Sequence, residues 1–352
     1  MKGYAMIKLG EAGWVNKIMP KCGPRDCICR PLALAPCTSD VHVVWENAIG
    51  ELPGRILGHE ALGIVDEVGS EVKLFKPGDR VIVGAITPNW DNEAAQRGFS
   101  SQTGGIMGAY EFTAKKDGTF AEYFHVNQAD NNMAMLPDGM DPVAGVMITD
   151  MMTTGFMGAE NAGIQLGADV AVIGIGPVGL CAIGGAKMRG ASRIFAVGSR
   201  PTPVKVAKMY GATDIIDYHN GDTAQQIIDA TDGAGVDAVV VAGGGPDILM
   251  DAIKMAKAGS KISNCNFFSG ADTLPLPRLD WGSGMANKDI ITGLCPGGRV
   301  RLERLAKLIT YGRFDPMPMA THVFHGLDHI EEALLMMKKK AGDVIKPVVI
   351  CE

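Results

Sequence analysis

Residues 169 to 190 read DVAVIGIGPVGLCAIGGAKMRG, and this stretch decides the fold. An apolar run, DVAVI, is followed by Gly174, Gly176 and Gly179 in the pattern G-x-G-x-x-G, and then by an apolar helical pattern. In that context the first glycine permits a tight turn, the second lets backbone amides approach a pyrophosphate, and the third lets the helix pack against its strand. Ile175, Pro177 and Val178 complete the turn, and the helix N-terminal amides face the anion. Glycines serving only a strand-to-helix turn would leave the same pattern, so the surroundings matter. Outward from it come IFAVGS (194 to 199), a helical PVKVAKMYG (203 to 211), VDAVVVAG (236 to 243), a helical PDILMDAIKMAKAG (246 to 259) and a strand KISNCNF (261 to 267). Such alternation predicts a doubly wound parallel sheet covered on both faces.

The second strand ends Val197, Gly198, Ser199, Arg200. An NAD-binding turn places a carboxylate there for the ribose hydroxyls, and none is present. Arg200 instead offers a planar fork of donors and Ser199 a hydroxyl, which suits the extra phosphate of NADP. The competing reading makes Arg200 a solvated charge and Ser199 a helix cap. On the cofactor reading, replacing Gly198 by Asp is expected to invert the cofactor preference.

The rest of the chain differs in texture. Up to about residue 150 short strands dominate, such as DCICRPLAL (26 to 34), ALGIVDEV (61 to 68) and DRVIVGAI (79 to 86). After 295 two helical patterns, RVRLERLAKLITYG and HIEEALLMMKKK, precede a terminal strand IKPVVI that is free to return to the first domain. A chain of 352 residues suggests two domains, and 47% hydrophobic with 20% charged residues is a globular composition. A net charge of -6 excludes a general attraction to nucleic acid. The uncharged stretch from 170 to 186 is broken by glycines and Pro177 and makes a poor membrane span. The opening MKGYAMIKLGEAGW lacks the apolar core of a signal peptide, so a cytoplasmic protein is expected, with its eight cysteines mostly as thiols.

Cys37 lies in APCTSDVH and His59 in ILGHE. Either alone suits a packed core, but together with Asp150 they offer thiolate, imidazole and carboxylate, the ligand types zinc takes. Three protein ligands leave a position open, as a catalytic zinc requires. Zinc there would acidify an alcohol. Ser39 and His42 could pass on the released proton, Asp40 could orient an imidazole, and Glu60 could visit the metal or merely shape its charge. Thr38, Ser39 and Asp40 also read as a plain polar turn. Cys27 and Cys29 read as strand packing, and the absence of cysteine between Cys37 and Cys181 excludes a four-cysteine structural zinc lobe.

With both site types in place, the chain resembles the zinc-dependent medium-chain alcohol dehydrogenases over nearly its whole length. GHEALGIVDEVGSEV (58 to 72) resembles their zinc-site signature, followed by KPGDRV (76 to 81), and GIGPVGL (174 to 180) their cofactor turn. MKGYAM, APCTSD, ITDMMTTGF, AVGSR, GLCPGGR and IKPVV are similar to the microbial NADP-dependent secondary alcohol dehydrogenases, a subgroup without the structural zinc. The resemblance implies an α/β protein with a GroES-like, mostly β catalytic domain from residues 1–153 and 295–352 and a Rossmann domain at 154–294. It implies one catalytic zinc on Cys37, His59 and Asp150, with Glu60 an occasional ligand, a Ser39 and His42 relay, and Thr38 beside the reacting centre. It implies NADP(H) contacts at 175 to 178, at Gly198, Ser199, Arg200 and Tyr218, at Cys265, Asn266 and Phe267, and at Lys340, although KKK at 338 to 340 equally suits a solvated helix end. Ile49, Ala85, Ile86, Leu294 and Cys295 would line the substrate pocket, Tyr110 and Phe267 would be its aromatic positions, and Met157 stands where a histidine is often found. The expected reaction interconverts small secondary alcohols and ketones, with some aldehydes, in a homotetramer. The rivals are a zinc-free quinone or enoyl reductase of the same plan and a non-catalytic NADPH-binding protein.

Overall fold

A computed structural model describes residues 1–270 and 272–352. The chain divides into two compact units, Met1–Thr153 with Cys295–Glu352, and Thr154–Leu294. The second unit holds a six-stranded sheet in the order Asp214–Ile216, Arg193–Val197, Asp169–Ile173, Val236–Val241, Ala256–Asn264, Asp289–Thr292. Every neighbouring pair is parallel. Both faces of such a sheet are covered, which is why its strands read as apolar runs and why Ala171, Ile173, Phe195, Val239, Val241 and Ile262 are buried together. Helices Pro177–Met188 and Pro201–Tyr210 each open on proline, where the missing N–H would have had no partner anyway. From Asp169–Ile173 the strand order runs outward in both directions, and this reversal marks the ligand-binding crevice at the strands' C-terminal ends.

One helix is shorter than its pattern suggests. The helix Ile248–Met255 stops early, and Ala256–Asn264 is already strand. Ala256 pairs with Val236 in the parallel ladder, and that pairing overrides the helical preference of the A-K-A run. Arg200, not Ser199, is the N-cap residue of Pro201–Tyr210, and its side chain makes no cap hydrogen bond. The capping role considered for Ser199 is therefore not the one it fills.

The first unit is the mostly β part. Its seven-stranded sheet runs Ala320–His325, Lys346–Ile350, Cys27–Leu34, Ala61–Val68, Arg80–Val83, Met133–Met135, with Phe124–Val126 also paired to Cys27–Leu34. The terminal strand does return, antiparallel to Cys27–Leu34. Pro31 in that strand has no N–H to donate, and the ladder to Ala61–Val68 slips register between Pro31 and Ala33. The hairpin of Lys2–Lys8 and Glu11–Asn16 was not anticipated from the sequence. Leu34, Phe112, Phe120, Phe124 and Val349 form the core that supports these strands. Cys27 and Cys29 are buried in it, as their packing role requires. Together the two units make the α/β architecture of a GroES-like domain and a Rossmann sheet. Among the described residues no helix is long and apolar enough to cross a membrane.

Candidate active site

Three separate segments of the first unit bring four donors together. Cys37 is the N-cap of helix Thr38–Trp45, His59 and Glu60 immediately precede the strand Ala61–Val68, and Asp150 sits in a π-helical turn, Ile148–Met152. One ligand atom from each of Cys37, His59, Glu60 and Asp150 lies within 4.8 Å of all the others. The π turn aims a residue inward that a regular helix would rotate elsewhere, a common device at functional sites. It is held by Thr153 Oγ1, which donates to Ile148 O at 2.6 Å.

Asp40 ties two of these segments. The polar triplet at 38 to 40 is the first turn of a helix, and the fully buried Asp40 carboxylate accepts from Cys37 N at 2.9 Å and Gly58 N at 3.1 Å. Its Oδ1 also lies 3.4 Å from His59 Nδ1. That leaves the other ring nitrogen, Nε2, facing Ser39 Oγ at 3.2 Å, Asp150 Oδ2 at 3.7 Å and Glu60 Oε1 at 3.8 Å. Burial works against a charged imidazole, yet the carboxylates of Asp40 and Asp150 outweigh it and hold the His59 proton well above the usual histidine range. The cluster thus draws positive charge into a buried place, which is what a cation site does. On the next turn of the same helix face, His42 Nδ1 meets Glu46 Oε2 at 2.6 Å, nearer to solvent.

The residues of the second unit expected to hold the cofactor lie at the C-terminal ends of strands. Gly174 has φ +89, which a residue with a Cβ adopts only under strain, and a Cβ on Gly179 would stand 1.8 Å from Gly174 O. A Cβ on Gly176 would meet nothing within 4 Å, so the turn is open there to an approaching group. Gly176 caps the helix whose first residues are Pro177 and Val178. Gly198, Ser199 and Arg200 follow the second strand, Tyr218 the third, and Cys265, Asn266 and Phe267 the fifth. Asn266 is fixed by its Nδ2, which donates to Gly244 O at 2.9 Å. Lys340 belongs to the other unit, where it ends helix Ile330–Lys339 in the left-handed conformation. The Gly198 to Asp exchange meets an obstacle, because a Cβ there would lie 2.2 Å from Ile175 Cγ1. Ile175 would have to move first, so that substitution confounds cofactor choice with packing.

Known proteins share this design. A model of the alcohol dehydrogenase GroES-like domain matches residues 23–138, and one of the zinc-binding dehydrogenases matches residues 177–308. The NADP-dependent isopropanol dehydrogenase of Thermoanaerobacter brockii is 58% identical over 350 residues, covering 99% of each chain. The chain belongs to the zinc-dependent medium-chain alcohol dehydrogenase family. Another member, the NADP-dependent isopropanol dehydrogenase of Clostridium beijerinckii, is 55% identical over 350 residues, with 99% of this chain and 100% of that one covered. Among solved structures, the zinc dependent alcohol dehydrogenase 2 from Streptococcus pneumonia superposes with a TM-score of 0.90 at 28% identity, covering 100% of this chain and 99% of that one.

In this alcohol dehydrogenase one residue is not legible in the sequence, and a second makes a contact the sequence does not show. Lys346, fully buried on the terminal strand, places Nζ 2.8 Å from Glu60 Oε1 and 2.6 Å from Oε2. Burial pushes the Glu60 carboxyl up while Lys346 pulls it down, and the pair behaves as one buried ion pair behind the donors. IKPVVI reads as a strand, and only the antiparallel return of that strand brings its lysine to Glu60. The second residue is Tyr110, whose ring packs edge-on to His59 with centroids 5.4 Å apart. Its place in a pocket was expected, and its contact with a donor was not. Ala85, Ile86 and Cys295 are buried to 4% exposure or less, as ordinary packing also demands.

Proposed function

We propose that the chain reversibly oxidises small secondary alcohols to ketones with NADP(H), using one zinc held by Cys37, His59 and Asp150, with Glu60 as an alternative ligand. The observation that carries this reading is the convergence of a thiol, an imidazole and two carboxylates within 4.8 Å in a chain of this family. Thiolate, imidazole and carboxylate are the donors zinc accepts, and a set with a carboxylate to spare suits a catalytic ion. When bound, zinc supplies Lewis acidity toward the alcohol oxygen, and NADP(H) supplies the hydride acceptor or donor.

The chain's own residues do the rest. Asp40 fixes the backbone of Cys37 by a hydrogen bond and sets its charge 3.4 Å from His59 Nδ1, so it supports two of the donors. In the oxidation direction the proposed path for the hydroxyl proton uses Ser39, whose Oγ lies 3.2 Å from His59 Nε2, and His42, which meets Glu46 at 2.6 Å nearer to water. Thr38 stands at the helix start beside the donors. In the other unit the backbone amides of Gly176 and Val178 face the pyrophosphate, while Ser199, Arg200 and Tyr218 take the adenosine 2′-phosphate end. Asn266 and its neighbours hold the nicotinamide half.

No cysteine lies between Cys37 and Cys181, which supports a chain without a structural zinc. The homotetramer rests on the family resemblance, and the cytoplasmic location on the sequence pattern. A zinc-free reductase would have no use for the four converging donors. The test is NADPH consumption with acetone before and after chelation, with metal measured on the same sample. Turnover lost on chelation and restored by zinc is the expected result. Metal-free protein that still binds NADPH and leaves acetone untouched would overturn the reading.

A further inference from the structure

Tyr110 carries a polar atom that the mechanism does not use. Its hydroxyl is buried and has no hydrogen-bond partner among the described residues, although its ring packs edge-on against the imidazole of His59 at 74°. The backbone around it is anchored, since Tyr110 N donates to Met107 O at 3.0 Å and Thr87 N to Ala109 O at 3.1 Å. Burial raises the phenol well above its ordinary pKa, with His59 pulling down and Asp40, Cys37 and Asp150 pushing up. A tyrosine hydroxyl is a neutral donor near neutral pH. An orphaned buried hydroxyl costs on the order of 1–3 kcal/mol, which phenylalanine would avoid at the same volume. A site that leaves a donor unmet favours the ligand that brings an acceptor to it. A substrate that carries a second oxygen beside the reacting one brings such an acceptor.

We propose that the Tyr110 hydroxyl donates a hydrogen bond to a second oxygen on the substrate, so that small hydroxyketones, and the matching diols in the reverse direction, are preferred over plain ketones and alcohols of equal length. The inference rests on the dehydrogenase reading above and names a substrate class for that same site. Tyr110 is a specificity residue on this account and takes no part in proton or hydride transfer.

The experiment compares the wild-type enzyme with Tyr110→Phe, measuring kcat/KM with NADPH for 2-butanone, 3-hydroxy-2-butanone and 4-hydroxy-2-butanone, together with Tm in the absence of substrate. The two hydroxyketones bracket the reach of the donor. Wild type should favour at least one of them over 2-butanone by about tenfold, the equivalent of one good hydrogen bond, and the variant should bring that ratio close to one. Tm should stay level or rise, because an unpartnered hydroxyl has been removed. A ratio that is the same in both proteins, or one that shows no wild-type preference, overturns the proposal. A fall in Tm of several degrees also overturns it by revealing a structural partner for the hydroxyl. If wild type reduces none of the three ketones, the dehydrogenase reading fails as well, whereas turnover of 2-butanone with an unaltered ratio sinks only the inference about Tyr110.

Discussion

The metal-side donors Cys37, His59, Glu60 and Asp150 come from three segments far apart in the chain, whereas the glycines of the dinucleotide turn occupy one run from 174 to 179. The first region is held together by buried charge: a carboxylate, Asp40, bridging two segments, and an ion pair, Glu60 with Lys346, joining the segment before Ala61 to the terminal strand. The second is held by contact distance, with no room for a methyl group at Gly179. An assembly of buried charges fails when one partner is removed, and a steric fit fails when one atom is added. The two regions should therefore break in opposite ways.

The largest effect is expected at the buried ion pair. Lys346→Met leaves the Glu60 carboxylate without its counter-ion inside the protein and should cost about 3–5 kcal/mol of stability. The double variant Glu60→Gln with Lys346→Met should recover most of that loss in urea denaturation. If the single and double variants are equally unstable, charge is not what holds this region.

Next comes the turn. Gly179→Ala must push the helix from its strand and should cost about 1–3 kcal/mol together with NADPH affinity. Gly176→Ala should leave Tm almost unchanged while weakening NADPH, because its methyl points into open space that the pyrophosphate needs. Calorimetry with NADPH titration on both variants tests the contrast, and equal Tm losses would refute the steric account.

Asp40→Asn should weaken zinc binding by about 10–100-fold, since the amide returns one of the two backbone hydrogen bonds poorly and no longer steadies His59 Nδ1 as a carboxylate does. Competition with a chromogenic chelator measures it. Unchanged zinc affinity would make Asp40 a helix cap and nothing more.

The smallest effect belongs to a half-buried charge pair in the second unit. Arg193 Nε and Nη2 donate to Asp214 at 2.9 and 2.8 Å, and these bonds hold its carboxyl below the ordinary value of 3.8. The unfolded carboxyl binds protons first as pH falls, so the pair's contribution is whole above pH 3.8 and is lost as pH drops through the lower folded value. Being still open to solvent, it is worth about 1 kcal/mol. Asp214→Asn should lower the urea midpoint slightly at pH 6 and not at all at pH 2, and a loss as large as that of Lys346→Met would erase the distinction between fully buried and half-buried charge.

Much of this was legible before any coordinates. The strand-turn-helix at 169 to 190 is a local statement: an apolar run, glycines at set spacing and a helical pattern constrain one another over a few turns of chain. For the same reason the absence of a carboxylate at 198 to 200 already pointed to NADP. Residue chemistry was legible too, since a thiol, an imidazole and a carboxylate mark themselves wherever they stand. The helix from 246 to 259 was overextended because parallel pairing at Ala256 is not written in the run that it interrupts.

The sequence by itself determined the alternating sheet, the dinucleotide turn and the kinds of side chain available for a metal, because periodicity and backbone sterics act between near neighbours. Only the tertiary structure decided that a buried lysine on the last strand sits against Glu60, that a π turn presents Asp150, and that a tyrosine hydroxyl is left without a partner beside His59. Those facts depend on register, burial and the path of distant segments. Electrostatic contacts of that kind arise only once the chain has excluded water and brought the groups within a few ångströms.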